Sequence, residues 1–187
     1  MATAEPWQKY EIPGPTKAVV ITKPELVSAL LTRAKNPILV VGFKAAETDF
    51  GNGKKPIDYV IRIAKATDMP VVATAHTVSE FLKRDFRPAA WMTSMDIGNR
   101  LTDPEWSISD KKPPHDLALI LGISHYYMSW VIESGLKSFA FRHLKTISLD
   151  RYYQPHCNWS FPNLSLKDWE KNLNIIVEEL EKKKIKT

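Results

Sequence analysis

The sequence predicts a three-layer α/β/α domain built on a Rossmann-like parallel sheet, and three observations predict it. Residues 37–42, PILVVG, place four consecutive apolar residues between a proline and a glycine. The run is too short for an ordinary helix and reads as a strand buried on both faces. Residues 71–75 (VVATA) and 116–122 (DLALILG) repeat the pattern, the second again closing on glycine. Helical periodicities fill the intervals, and strands alternating with helices mean a parallel sheet covered on both faces.

Each element follows in order. Residues 1–16 hold Pro6, Pro13, Gly14 and Pro15 around Trp7, Tyr10 and Ile12. Prolines this dense exclude a helix interior. Apolar side chains would be wasted on a free tail, so the segment reads as an extended arm that docks on the domain or on a partner. Residues 17–187 form the single Rossmann-like domain. Its first helix begins near Thr22 and Glu25, which have capping-box spacing, with Pro24 in the first turn. Leu26, Val27, Leu30, Leu31 and Ala34 supply its apolar face. After the strand at 37–42 comes a glycine- and lysine-containing loop, and Pro56 opens a second helix that buries Ile57, Val60, Ile61 and Ala64. Thr77 and Glu80 suggest another capping box, for a short helix through Leu82. Residues 86–115 read as a long irregular connection with one short helix near Pro104; loops of this length are usually functional or partner-facing. An aromatic-rich helix covers 125–134, a fourth strand 145–150, and a final helix capped by Ser165 buries Trp169, Leu173, Ile176 and Leu180.

The first and third of these strands belong side by side at the topological switch point, where open α/β sheets bind ligands. Their ends, Gly42-Phe43-Lys44 and Gly122-Ile123-Ser124-His125, then face one another across a crevice and form the candidate cofactor-binding set.

Composition narrows the function. A length of 187 residues with 44% hydrophobic and 25% charged residues suits one soluble globular domain. No run approaches the ~20 apolar residues of a membrane span, and the N-terminus lacks the apolar core of a signal peptide. The one cysteine, Cys157, excludes an internal disulfide and an iron–sulfur cluster held by this chain's cysteines, and fits a cytoplasmic setting. The net charge of +5 comes from scattered lysines and arginines, without a basic stripe interleaved with stacking aromatics, so nucleic acid is not the expected partner.

Motifs for chemistry fail one by one. Gly42 is followed by Phe43, Lys44 and Ala45, so the dinucleotide fingerprint is absent. Gly51-Asn52-Gly53-Lys54-Lys55 resembles a phosphate cradle but is no P-loop, and a bare turn is the plainer reading. The five histidines have no metal-ligand spacing. Gly122-Ile123-Ser124-His125-Tyr126 places tyrosine where a nucleophile elbow needs its second glycine. His125 stands at the mouth of the crevice without a catalytic partner that the sequence names. No catalytic residue and no metal ligand are assigned, which favours a binding or scaffolding subunit over an autonomous enzyme.

Five segments in order, PWQKYEIPGP (6–15), NPILVVG (36–42), ATAHT (73–77), AWMTSMDIGNRLTDPEW (90–106) and LGISHYYMSW (121–130), together with the length, resemble the epsilon subunit of the acetyl-CoA decarbonylase/synthase complex. The resemblance implies a small archaeal subunit that pairs with the large alpha subunit of a carbon monoxide dehydrogenase component, two alpha with two epsilon. The alpha subunit then carries the nickel–iron–sulfur chemistry. It implies a fold similar to the NAD/FAD-binding domain of thiamine-diphosphate enzymes, a stabilising role, and assistance of electron transfer to FAD, with no cofactor held firmly by this chain. No catalytic residue is carried over.

Two readings stay open at this point. One is a non-catalytic subunit docking through its arm and through aromatics in irregular segments: Trp7, Trp91, Trp106, Tyr152, Tyr153 and Trp159. The other is a module binding FAD or a nicotinamide dinucleotide in its own right, with the crevice at Gly42 and Gly122 holding the diphosphate.

Overall fold

The computed structural model describes residues 16–185 apart from 52, 110, 111, 124 and 125, and leaves aside the side chains of residues 126–129. The proposed arm at 1–16 therefore lies almost wholly outside the described residues.

Among the described residues the strands are β1 (Val19–Val20), β2 (Pro37–Val41), β3 (Val71–Thr74), β4 (Ala90–Met92), β5 (Leu117–Leu121), β6 (Lys145–Ser148) and β7 (Trp159–Ser160). The helices are α1 (Glu25–Arg33), α2 (Lys44–Glu47), α3 (Pro56–Thr67), α4 (Val78–Leu82), α5 (Ser94–Thr102), α6 (Tyr126–Phe139) and α7 (Leu166–Ile185). All seven strands join one sheet in the order β1-β7-β6-β5-β2-β3-β4, and every pairing is parallel. From β2 the chain moves outward through β3 and β4, then returns to the other side of β2 with β5, β6 and β7. The strand order reverses between β2 and β5, so the switch point lies where the sequence places it.

Alternation along the strands sorts the core into two layers. Leu39, Val41, Val71, Ala73, Leu117, Leu119 and Leu121 pack with Val27 and Leu31 of α1, Ile57 and Val60 of α3, and Leu173, Ile176 and Val177 of α7. Ile38, Val40, Val72, Ala118 and Ile120 face the opposite way, onto Ile97 and Leu101 of α5 and Ile132 and Leu136 of α6. Residues 38–41 are wholly buried, which is why PILVV reads as a continuous apolar run rather than an alternating one.

Helix starts depart from expectation in instructive ways. Ser165 caps α7 as predicted, its Oγ accepting from Asp168 N–H at 3.1 Å. Thr22 does not cap α1: the residue before that helix is Pro24, and no side-chain cap forms. Thr77 is likewise spent elsewhere, its hydroxyl paired with that of Thr74 at 2.9 Å in the buried turn after β3. A real cap occurs where none was expected, at Thr93, whose Oγ1 accepts from Asp96 N–H at 3.1 Å and starts α5.

The supposedly irregular stretch thus contains β4 and α5, and the short helix expected near Pro104 is instead a turn that follows α5. The remainder of the connection is fastened beneath the sheet. Asn36 donates from Nδ2 to Pro113 O at 2.6 Å and to Ser107 Oγ at 3.2 Å. Asp116 accepts the backbone N–H groups of Lys35 and Asn36. Buried His115 sits 3.0 Å from Asn36 O through Nδ1 and accepts from Ile108 N–H through Nε2. With Nε2 accepting, the imidazole is the neutral Nδ1–H tautomer, and burial pushes its pKa down, in keeping with that role.

Lys184 Nζ donates to Lys65 O at 2.6 Å and lies 3.3 Å from Asp68 Oδ1, so it meets the negative end of α3 rather than only its own helix. Among the described residues, no helix is long and apolar enough to cross a membrane.

Candidate functional site

The C-terminal ends of β2 and β5 meet through backbone, not across an open gap. Gly42 N–H donates to Leu121 O and Lys44 N–H to Gly122 O, both at 2.9 Å. A Cβ on Gly42 would overlap Gly122 O and the Cα of Ile123. A Cβ on Gly122 would overlap Ala45 N and stand 2.8 Å from Ala45 Cβ, and Gly122 holds φ at +71° besides. Both glycines are therefore required by the contact of one strand end with the other. The crevice expected between them is filled by their own backbones.

Space opens instead on the β6 side of that contact. A cavity of about 250 Å³ is lined by Lys44, Thr48, Ile123, Asp150, Arg151, Tyr152, Gln154 and Trp169. Of the candidate cofactor-binding residues, Lys44 and Ile123 reach this cavity. Gly42 and Gly122 form the backbone contact beside it, and Phe43 is 39% exposed and does not line it. Ser124 and His125 lie outside the described residues. The glycine-rich loop after α2 is a turn: Gly51 and Gly53 adopt φ of +89° and +76°, and Phe50 packs edge-on against Tyr59 and Trp169.

Most polar groups in the cavity come from one segment, 150–154, just beyond β6. Asp150 Oδ1 accepts the Gly122 N–H at 2.7 Å, tying β6 to the glycine contact. Burial pushes its carboxyl up to about 7, and the Gly122 hydrogen bond pulls the other way without cancelling that shift. The Arg151 guanidinium lies over the Tyr152 ring, 4.7 Å from its centre. Trp169 Nε1–H donates to Leu149 O at 2.7 Å, so its ring offers the cavity an apolar surface. Sequence reasoning assigned this segment to aromatic docking and missed its charged groups. The available signal was Asp-Arg directly after a strand, at the end of the sheet where ligands bind.

The aromatic residues expected to dock divide by burial. Trp91 and Tyr152 are 52% and 51% exposed, whereas Tyr153 is buried with its hydroxyl donating to Ala18 O. Trp106 stacks obliquely on His115, and Trp159 packs against the main core. Trp7 lies outside the described residues. Those described residues contain no group of three or more His, Cys, Asp or Glu side chains placed to hold a metal ion.

Fold and site together define a Rossmann-like α/β domain whose switch point is closed by glycine contact and whose cavity lies to one side. The family follows from the chain as a whole. Residues 1–180 match the family described as CO dehydrogenase beta subunit/acetyl-CoA synthase epsilon subunit, and the chain belongs to it. It is 31% identical over 157 residues to the acetyl-CoA decarbonylase/synthase complex subunit epsilon 1 of Methanosarcina barkeri, covering 84% of this chain and 86% of that relative. It is 30% identical over 174 residues to the epsilon subunit of Methanothermobacter thermautotrophicus, covering 93% and 95% of the two chains. The epsilon 1 subunit of Archaeoglobus fulgidus is 30% identical over 167 residues, 89% of this chain and 85% of its own.

Two predictions follow from this geometry. Gly42→Ala and Gly122→Ala each cost about 2–5 kcal/mol of stability, combining overpacking with, at Gly122, a strained φ. Gly135→Ala, inside α6 with open space at its Cβ position, gains about 0.5–1 kcal/mol. Urea unfolding of the three variants checks the contrast; equal effects would contradict it. Asp150 supplies the second. Its folded carboxyl holds a proton more tightly than the ordinary value of 3.8, so stability falls as pH rises from about 4 to about 7 and is flat above. Asp150→Asn keeps an acceptor for Gly122 N–H and removes that titration. Melting temperatures across this range should show the variant gaining on the wild type as pH rises; parallel curves would contradict the assignment.

Proposed function

We propose that this chain is the small accessory subunit of an acetyl-CoA decarbonylase/synthase complex, seated on the large alpha subunit of a carbon monoxide dehydrogenase component. The observation that carries the reading is the match of the family along almost the entire chain. The chemistry agrees with a supporting role. The chain's one cysteine, Cys157, is buried, and its thiol donates toward backbone carbonyls of Gln154 and Trp159. A nickel–iron–sulfur centre would therefore draw its thiolates from the partner. In the proposed assembly, two alpha and two epsilon subunits associate in the cytoplasm, and the epsilon subunit stabilises the component and assists electron transfer to FAD.

Exposed Trp91 and Tyr152 are the proposed anchors on the described surface, because large aromatics dominate interface energetics. The alternative, a dinucleotide-binding module acting in its own right, draws support from the cationic rim that Lys44 and Arg151 give the cavity. Against it, the cavity's volume of about 250 Å³ lies below the ~300–1,000 Å³ of sites for drug-sized ligands, so a whole dinucleotide would extend well outside it.

Affinity-tagged chain purified from its native extract should bring down a large iron–sulfur protein in stoichiometric amount, and Trp91→Ala with Tyr152→Ala should weaken that association at least tenfold. A monomer that elutes alone from the native extract would contradict the proposal. Flavin fluorescence titration then separates the roles: quenching by the assembled component but not by the isolated chain supports assistance within the complex, and saturable quenching by the isolated chain supports the alternative.

A further inference from the structure

Two buried groups at the cavity have no use within the described fold. Gln154 is 2% exposed, yet its side-chain Oε1 has no hydrogen-bond partner, although its backbone N–H is satisfied by Ser160 Oγ at 2.9 Å. Arg151 Nε–H is sealed from solvent without an acceptor. Among the described residues no carboxylate pairs with that guanidinium: its sequence neighbour Asp150 accepts from Gly122 N–H instead. An unmade buried hydrogen bond is destabilising, and more so for a charged group. Arginine cannot escape that cost by losing its proton. The Tyr152 ring offsets part of it through a cation–π contact but provides no acceptor in the plane of the guanidinium.

Both residues line the same cavity, at the end of the sheet where α/β folds bind ligands. We propose that this cavity binds a small ligand through an oxyanion, a phosphoryl or carboxyl group, which accepts from Arg151 Nε–H and from the Gln154 side-chain amide. A primary amide can turn to present its NH2 in place of its carbonyl, so Gln154 serves as a donor to the anion. Ile123, Tyr152 and Trp169 receive the apolar body of the ligand. Lys44 adds a second positive charge at the rim, shared with Glu47.

The neighbouring carboxyl does not oppose this assignment. Asp150, with its pKa pushed up to about 7 by burial, carries a proton for much of the time at neutral pH and below. It then presents an O–H rather than a second negative charge. The cavity volume suits a metabolite of few atoms. The assignment is independent of whether the chain sits in a CO dehydrogenase component, since it concerns the isolated chain and its own side chains.

The test uses the purified full chain near pH 6.5, with sodium phosphate, sodium pyrophosphate and sodium acetate as probes at millimolar concentration. Calorimetric titration should show saturable one-to-one binding of at least one probe. Phosphate or pyrophosphate without acetate identifies a phosphoryl ligand, and acetate without the others a carboxylate. Arg151→Gln and Gln154→Leu should each weaken binding about tenfold or more. Because either variant could lose its fold, NMR of the wild type provides a second readout: the Arg151 Nε–H and Gln154 amide resonances should shift together, with the same midpoint as the calorimetry. Absence of saturable binding by all three probes, unchanged affinity in both folded variants, or shifts that leave these two side chains untouched would each overturn the proposal.

Discussion

The contact between Gly42 and Gly122 governs how this sheet can be used. β2 and β5 pair in register along their full length, from Pro37 opposite Leu117 to Val41 opposite Leu121. At the switch point their following segments would ordinarily diverge to opposite faces and leave a crevice. Here the chain after β2 crosses directly over the end of β5, close enough that neither residue can carry a Cβ. Lys44 N–H bonds to Gly122 O, and Asp150 holds Gly122 N–H from the other side, so three strand ends are locked by backbone and carboxyl together.

That closure moves any ligand chemistry sideways. The diphosphate-binding turn of a dinucleotide domain needs backbone open to the ligand, and this chain spends the equivalent backbone on itself. The remaining space lies against β6, where the 150–154 segment brings a carboxyl, a guanidinium and an amide next to the apolar surface of Trp169. The same aromatic also meets Phe50 and ties its indole to Leu149, so the loop after α2, the end of β6 and the first turn of α7 share one packing unit. A domain that keeps the Rossmann-like scaffold while closing its usual entrance agrees with the accessory role proposed above.

The parts of this architecture that were legible in the sequence share a physical trait. Residues 38–41 and LALIL are buried on both faces, so their apolar runs stand out regardless of context, and their side-by-side placement followed from the alternation of elements. α3 and α7 are long enough for their buried stripes to repeat. β1, β4 and β7 span only two or three residues each, too few to display a period, and their pairing is decided by tertiary contact. The caps at Thr22 and Thr77 failed for different reasons: α1 starts only after Pro24, beyond the reach of Thr22, and the Thr77 hydroxyl is already engaged with that of Thr74. Thr93-x-x-Asp96 carried a usable cap signal and was passed over inside a stretch read as irregular. The cavity was only half legible: Lys44 and Ile123, expected at a crevice, line it, whereas the burial of Arg151 Nε and Gln154 Oε1 is a tertiary property that no spacing reveals.

Native-state hydrogen exchange tests the closure most directly. The amides of Gly42, Lys44 and Gly122 should exchange as slowly as those of Val40 and Ile120 in the sheet centre, by global unfolding alone. Exchange of these three through a low-energy local opening, well ahead of the central strands, would show that the strand ends part in the native protein and would contradict the account.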